Sequence, residues 1–252
     1  MAESAKILIY DIESFPHEGW TWRKWKQNVI EFTQEGMICS IAWKWLHDKR
    51  VECISLPDFP GYRQGKDDNT KLLRRFHKVI SKADITVAHN GIDFDEKYLF
   101  GEFFKRGIEP PPPHKVVDTL LAARKKFRFP SNSLNDLALR LGVGRKLKHT
   151  GFDLWKGCMF GDMASWHLMV KYNIMDVRIL ERIYLKMLPW IDKHPDLSNY
   201  TRNWNCPVCE SPRIRKGGWM YNQASKRQRY ICNACGKWFV GPTVKAKKPW
   251  GG

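Results

Sequence analysis

Apolar positions along the chain fall into two rhythms, one of strands and one of helices. Lys6-Ile7-Leu8-Ile9-Tyr10-Asp11-Ile12-Glu13-Ser14 is a near-continuous apolar run that ends in two carboxylates one residue apart, and it reads as a buried strand. Residues 37–46 and 51–56 read as two more strands around the polar turn His47-Asp48-Lys49-Arg50, so the first three strands predict a meander. After Asp67 or Asp68 as a cap, Leu72, Leu73, Phe76, Val79 and Ile80 recur at helical spacing up to about Ala83. Residues 84–88 are a fourth, short strand, His89-Asn90-Gly91 a turn, and residues 94–106 a helix. Beyond the stiff connector of four prolines at 110–113, residues 115–117 make a fifth strand, and Asp118 caps the helix that follows. Ser131-Asn132-Ser133 caps a helix carrying Leu134, Leu137 and Leu141 that stops at Gly142. Asp162 caps a long one over residues 164–188, with an apolar stripe through Leu168, Met175, Ile179 and Ile183.

This alternation predicts an α/β fold over residues 1–190. A linker with Pro, Asp and Ser follows at 191–203, then a cysteine-bearing module at 204–241 and a basic tail at 242–252. A chain of 252 residues is long enough for one substantial core and a small appended module.

Composition sharpens the picture at two points. A formal net charge of +17 together with 12 Trp points to a polyanionic partner and to surfaces that stack on bases, with nucleic acid the leading candidate. No apolar stretch reaches the ~20 residues of a membrane span, and the N-terminus lacks the layout of a signal peptide. A cytoplasmic protein is the expectation. Cys39, Cys53 and Cys158 are scattered while the other four cysteines are paired at short spacing, which suits metal binding in a reducing compartment better than disulfides.

Candidate chemistry begins at the first strand. Side chains alternate across a strand, so Asp11 and Glu13 share a face, and burying two unpaired charges costs several kcal/mol. Hard cations such as Mg²⁺ or Mn²⁺ prefer such oxygen ligands and keep positions open for phosphate oxygens. Asp95 stands at a helix start, where an acid favours the dipole whatever else it does. Tyr172 and Asp176 lie one turn apart on the long helix, within an otherwise apolar stripe. In residues 15–34, Trp22, Arg23, Lys24 and Trp25 interleave aromatics with bases, which suits either a clamp on a single strand or a loop whose Trp residues cover the sheet edge. Arg145 and Lys146 belong to a basic loop that meets phosphate or only solvent.

Asp11-Ile12-Glu13, Asn90-Gly91-Ile92-Asp93-Phe94-Asp95 and Tyr172-Asn173-Ile174-Met175-Asp176 resemble the three exonuclease motifs of the DEDD superfamily (DnaQ-like) of 3′–5′ exonucleases. The resemblance covers roughly residues 5–190. It implies an RNase H-like fold, a five-stranded mixed sheet flanked by helices. The tyrosine four residues before the last acid places the chain in the tyrosine subfamily, since His167 is too far from Asp176 for the histidine version. By carry-over, Asp11, Glu13, Asp95 and Asp176 hold two catalytic Mg²⁺ or Mn²⁺ ions and Tyr172 positions the attacking water. Asp93 is the nearest rival to Asp95. Asn90 matches the surrounding motif, as a turn residue or a substrate contact. The implied activity is hydrolysis of phosphodiester bonds from the 3′ end of DNA or RNA. A transposase-like or structure-specific endonuclease and a non-catalytic nucleic-acid-binding adaptor are the alternatives.

Cys206-Pro-Val-Cys209 and Cys232-Asn-Ala-Cys235 form two C-x-x-C knuckles, a strong signal for one structural Zn²⁺. The module resembles the zinc ribbons of transposases and transcription factors. Residues 193–252 carry twelve Lys or Arg against two acids. Trp219, Arg227, Arg229 and Trp238 are its candidate nucleic-acid contacts, with docking of a protein partner as the alternative.

Overall fold

The computed structural model describes residues 4–62, 68–201 and 203–245, with only the backbone of Lys245. Asp67 and residues 246–252 of the expected basic tail lie outside the described residues. The chain divides into two compact units, one of residues 6–184 and one of the described residues from 185 on together with 4 and 5.

In the first unit the elements run β1 (Ile7–Ser14), β2 (Glu18–Trp20), β3 (Glu31–Gln34), β4 (Ile38–Trp45), β5 (Glu52–Ser55), α1 (Thr70–Ile80), β6 (Ile85–Ala88), α2 (Asp95–Lys105), β7 (Lys115–Asp118), α3 (Thr119–Lys126), α4 (Leu134–Arg140), α5 (Phe152–Met159) and α6 (Met163–Met187), the last continuing past residue 184. Five strands form one mixed sheet in the order β5-β4-β1-β6-β7, with β1 antiparallel to β4 and parallel to β6. This is the RNase H-like sheet with flanking helices that the motifs imply. Ile7, Leu8, Ile9 and Tyr10 are all buried because β1 is central and covered on both faces.

Those two faces are identified by their partners. Tyr10 and its cross-strand neighbour Trp43 each pack on Phe76 of α1, with ring centroids 5.5 and 5.6 Å apart. On the opposite face, buried Lys44 stands beside Ile9 and donates to the half-buried Glu181 of α6 at 2.6 Å, a pair that fixes α6 over that side. Alternation then delivers Asp11 and Glu13 to the face that α6 covers.

The structure departs from the expected elements in places. Residues 15–34 contain the small hairpin β2–β3, closed by the Ile30 amide donating to the Trp20 carbonyl. Its tip carries Trp22 and Trp25, 86% and 74% exposed, so they cover no sheet edge. Asn69 caps α1, and Asp68 accepts from the Thr70 amide just ahead of it. The helix α5 lies in a stretch that showed no clear period. On α6 the buried stripe runs through Met169, Tyr172, Asp176, Ile179, Leu180 and Ile183, while Leu168 and Met175 are only half-buried at its margins. No described helix is long and apolar enough to cross a membrane.

In the second unit, a one-turn helix α7 (Ser198–Thr201) interrupts the expected linker. The antiparallel strands β8 (Ile214–Tyr221), β9 (Ser225–Cys232) and β10 (Trp238–Lys245) follow, in the order β10-β9-β8. β10 thus runs beyond residue 241 into the segment expected to be tail.

Candidate active site

The end of β1 is where the sheet runs out of partners. β6 pairs with β1 only as far as Ile9 opposite Val87, so the amides of β1 beyond that point on the β6 side lack a ladder. Asp95 supplies one acceptor, its Oδ1 taking the Ile12 amide at 3.3 Å. The turn that delivers Asp95 is built tightly. Asn90 adopts a left-handed φ of 70°, and Asp118 Oδ1 and Oδ2 accept from the Asn90 and Ile92 amides, each at 3.2 Å. Asp118 also caps α3 by accepting from the Leu120 and Leu121 amides, so the cap reading of that residue stands. At Gly91 a Cβ would come within 2.5 Å of the Ala88 Cβ, which leaves room for glycine alone.

Asp11, Glu13 and Asp176 each offer a carboxylate oxygen within 4.8 Å of the others. Asp95 stands outside that tight trio. Asp93, its rival, is exposed and paired with Lys97 at 2.8 Å, away from the cluster. Burial, then repulsion from Asp95, Glu13 and Asp176, raises the Asp11 carboxyl well above its usual range, with Lys146 opposing. Burial and Asp176 push Glu13 up to about 8, and burial lifts Asp95 to about 7 against the pull of the Ile12 amide. Such a set ionises fully only beside a cation.

One cation is already there. Lys146 Nζ lies 2.5 Å from Asp176 Oδ2 and donates to the Tyr172 hydroxyl at 2.9 Å. Although burial works against its charge, Asp176 and Tyr172 hold the ammonium above its ordinary value. The Tyr172 ring is held by an aromatic edge contact from His149 at 4.9 Å and another from Trp155 at 6.1 Å. Burial and the Asp176 charge raise the Tyr172 hydroxyl, which therefore stays protonated at neutral pH.

Beside Asp11 opens a cavity of about 590 Å³, lined among others by His89, Arg124, Ser131, Asn132 and Lys146. His89 Nε2 sits 3.0 Å from the Asn132 carbonyl and its Nδ1 2.9 Å from Thr119 Oγ1, and burial lowers its pKa to about 4.

A profile of the RNase_H superfamily matches residues 35–188, more than half of the chain. The chain belongs to the RNase_H superfamily. A DNA polymerase of Pyrococcus glycovorans is 31% identical over 111 residues, 43% of this chain and 13% of the polymerase. One of Thermococcus litoralis is 28% identical over 108 residues, 42% of this chain and 6% of the polymerase. The family B DNA polymerase from the hyperthermophilic archaeon Pyrobaculum calidifontis shares the fold at a TM-score of 0.56 and 19% identity, over 74% of this chain and 25% of that one. This superfamily member thus spans a small fraction of the polymerases it matches.

Of the residues singled out in the sequence, the structure gathers Asp11, Glu13, Asp95, Tyr172, Asp176 and Lys146 in one place. Arg145, next to Lys146, is exposed, and Asn90 serves the turn through its backbone. Trp22, Arg23, Lys24 and Trp25 lie at the tip of the β2–β3 hairpin, where Lys24 Nζ sits over the Trp25 ring at 5.2 Å. Trp219 lies on the opposite face of its sheet from Arg227, Arg229 and Trp238. Arg124 went unnoticed, and His149 stood out only as the end of the basic loop 145–149. Ser131-Asn132-Ser133 stood out only as a cap, and nothing local to the sequence tells that a cap also forms the wall of a cavity.

The cysteine module has its own geometry. The Sγ atoms of Cys206, Cys209, Cys232 and Cys235 lie within 4.8 Å of one another, and the pairs Cys206–Cys235 and Cys209–Cys232 are each 3.7 Å apart. A tetrahedral Zn–S distance of ~2.3 Å requires sulfurs ~3.8 Å apart, so the spacing fits zinc.

Proposed function

We propose that the chain is a divalent-metal-dependent 3′–5′ exonuclease of the tyrosine subfamily, hydrolysing phosphodiester bonds at the 3′ end of DNA or RNA. The observation that carries this reading is the meeting of three carboxylates within 4.8 Å on a fold shared with DNA polymerases. Lys146 offsets one charge of that set and leaves Asp176 Oδ1 buried with no partner among the described residues. An all-oxygen donor set with an orphaned acceptor fits Mg²⁺ or Mn²⁺ and not a softer ion. Asp11, Glu13 and Asp176, with Asp95 beside them, would hold two such ions. Bound there, the ions supply Lewis acidity that sharpens a water and offsets charge on the scissile phosphate.

The chain's own residues do the rest. The Tyr172 oxygen accepts from Lys146 while its hydroxyl also bonds to Asp176, and in turnover the same hydroxyl would donate to the attacking water and orient it. Lys146 adds positive charge where the phosphate must sit. The cavity beside Asp11 takes the terminal nucleoside, and Arg124 on its wall meets the phosphate that precedes it. In the second unit, Cys206, Cys209, Cys232 and Cys235 would hold one Zn²⁺ ion and leave it no open position, so its role there would be structural.

End-labelled single- and double-stranded DNA and RNA, incubated with Mg²⁺ or Mn²⁺, test the proposal. Single nucleotides are expected to leave from the 3′ end, and Asp11→Ala or Asp176→Ala to abolish the reaction with the fold retained. Full turnover by either variant would sink the assignment. Equal cutting of circular single-stranded DNA would point to an endonuclease.

A further inference from the structure

The three-stranded sheet of the second unit keeps two chemistries on opposite faces. Arg215 and Trp238 both pair with Ile231, Arg229 pairs with Val240, and Arg227 with Met220 and Thr243. Alternation along β9 puts residues 227, 229 and 231 on one side, so Arg215, Arg227, Arg229 and Trp238 share a face. The glycines of β8 agree, since a Cβ at Gly217 would strike the Trp238 ring at 2.3 Å and one at Gly218 would approach Arg229 Nη2 at 3.3 Å.

The other face is already occupied. Tyr230 stacks on Phe239 with centroids 5.6 Å apart, Trp204 closes on Tyr230 edge-on at 5.5 Å, and Lys226 sits 4.6 Å above the Trp219 ring. Tyr230, Phe239, Trp204 and Trp219 there each have a partner from their own unit, while Tyr221 at the far end of β8 is exposed.

On the arginine face the groups are held, and among the described residues none of the three arginines is paired with an acid. Arg227 donates through Nε to the Gly241 carbonyl at 2.8 Å and Arg215 through Nε to Asn233 Oδ1 at 3.3 Å. Both bonds use Nε and leave the terminal nitrogens without a protein partner among the described residues; Arg215 and Arg229 are exposed and Arg227 half-buried. Residues 211–252 contain no Asp or Glu to answer them. Trp238 rests against Gly217 and remains 51% exposed. Arg227 and Arg229 stand ~6.6 Å apart along their strand.

From this arrangement we propose that the Arg215/Arg227/Arg229/Trp238 face binds single-stranded nucleic acid, with the guanidiniums on successive phosphates and the indole stacked on one base. An unpaired strand is the occupant because Trp238 needs a base face not taken up by duplex stacking, and the arginines need anions in a row. The proposal stands independently of the nuclease reading.

The test uses the full chain, zinc-loaded at one ion per chain and without Mg²⁺ or Mn²⁺, and follows the fluorescence anisotropy of labelled oligo-dT and oligo-U at several salt concentrations. Arg227→Gln with Arg229→Gln should weaken binding and lower the slope of log affinity against log salt by ~0.7 for each phosphate no longer neutralised. Arg229→Lys should keep the slope, and Trp238→Leu should lose about tenfold in affinity. Trp219→Leu with Lys226→Gln, on the other face, should stay within about twofold of the parent. Unchanged affinity and slope in the arginine variants overturn the proposal, as do equal losses from both faces or tighter binding of an acidic peptide than of either oligonucleotide. A chain without hydrolytic activity that still shows the face dependence would keep this proposal and remove the nuclease reading.

Discussion

Lys146 illustrates what one residue does that its neighbours in sequence do not announce. In the basic loop it reads as one of several cations that meet phosphate or only solvent, yet the structure turns it inward onto Asp176 and Tyr172 and leaves Arg145 outside. The Tyr172 hydroxyl bonds both that ammonium and Asp176, and in the proposed reaction its task is to donate. Tyr172→Phe removes that donor and one acceptor of Lys146 but keeps the ring and the Lys146–Asp176 pair, so divalent ions should still bind while kcat falls by at least about tenfold, with the affinity for a short oligonucleotide little changed. Unchanged kcat would leave Tyr172 a packing residue. His89 makes a second prediction, of pH dependence. Burial lowers its pKa from 6.5 to about 4, so the unfolded chain takes up its proton first as pH falls. Its contribution is complete above about 6.5 and is lost as pH drops towards 4, by up to roughly 3 kcal/mol. His89→Gln should flatten that part of the stability profile in denaturant titrations between those limits, and an unaltered profile would mean that His89 titrates freely.

At the scale of elements, what could be read from the sequence is what local pattern determines. The five strands, the capped helices and the shared face of Asp11 and Glu13 follow from periodicities of two and 3.6 residues, and they emerge within a few residues of their expected ends. The β2–β3 hairpin escaped because its residues are nearly all exposed and carry no alternation. The helix α5 escaped because only Leu154 and Cys158 of its eight residues are fully buried, too few to show a period. Asp95 shows the limit most clearly, for its place at a helix start was legible but its bond to Ile12, 83 residues away, was not. That bond depends on how β6 hands over to α2. Gly91→Ala would drive a Cβ against Ala88, cost about 1–3 kcal/mol and shift Asp95, raising the Mn²⁺ concentration needed for half-maximal activity. Adding Ala88→Gly should restore most of both losses, and a double variant as impaired as the single one would show that the clash is not what matters.

Across the whole molecule, charge and metal divide the labour between two units. The first has a core built on both faces of β1. The second buries little beyond Met187, Leu188, Ile191, Leu197, Val208, Cys206 and Cys232, so with the proposed zinc bound at its four cysteines much of the free energy that orders it would come from the ion. Its uncompensated cations repel one another and tilt the balance further against an apo state. Stripping zinc from the full chain with a chelator and then restoring Mg²⁺ should therefore abolish hydrogen-exchange protection across β8, β9 and β10 while β1, β4 and β6 stay protected. Cys232→Ser should reproduce that pattern without a chelator, since it removes a buried ligand that no other described side chain can replace. Hydrolysis of a short oligonucleotide at saturation should survive both treatments, because every residue of the acid cluster lies in the first unit. Protection retained in β8–β10 after zinc loss would show that the sheet folds on its own packing, and loss of protection in β1 as well would show that the two units unfold as one.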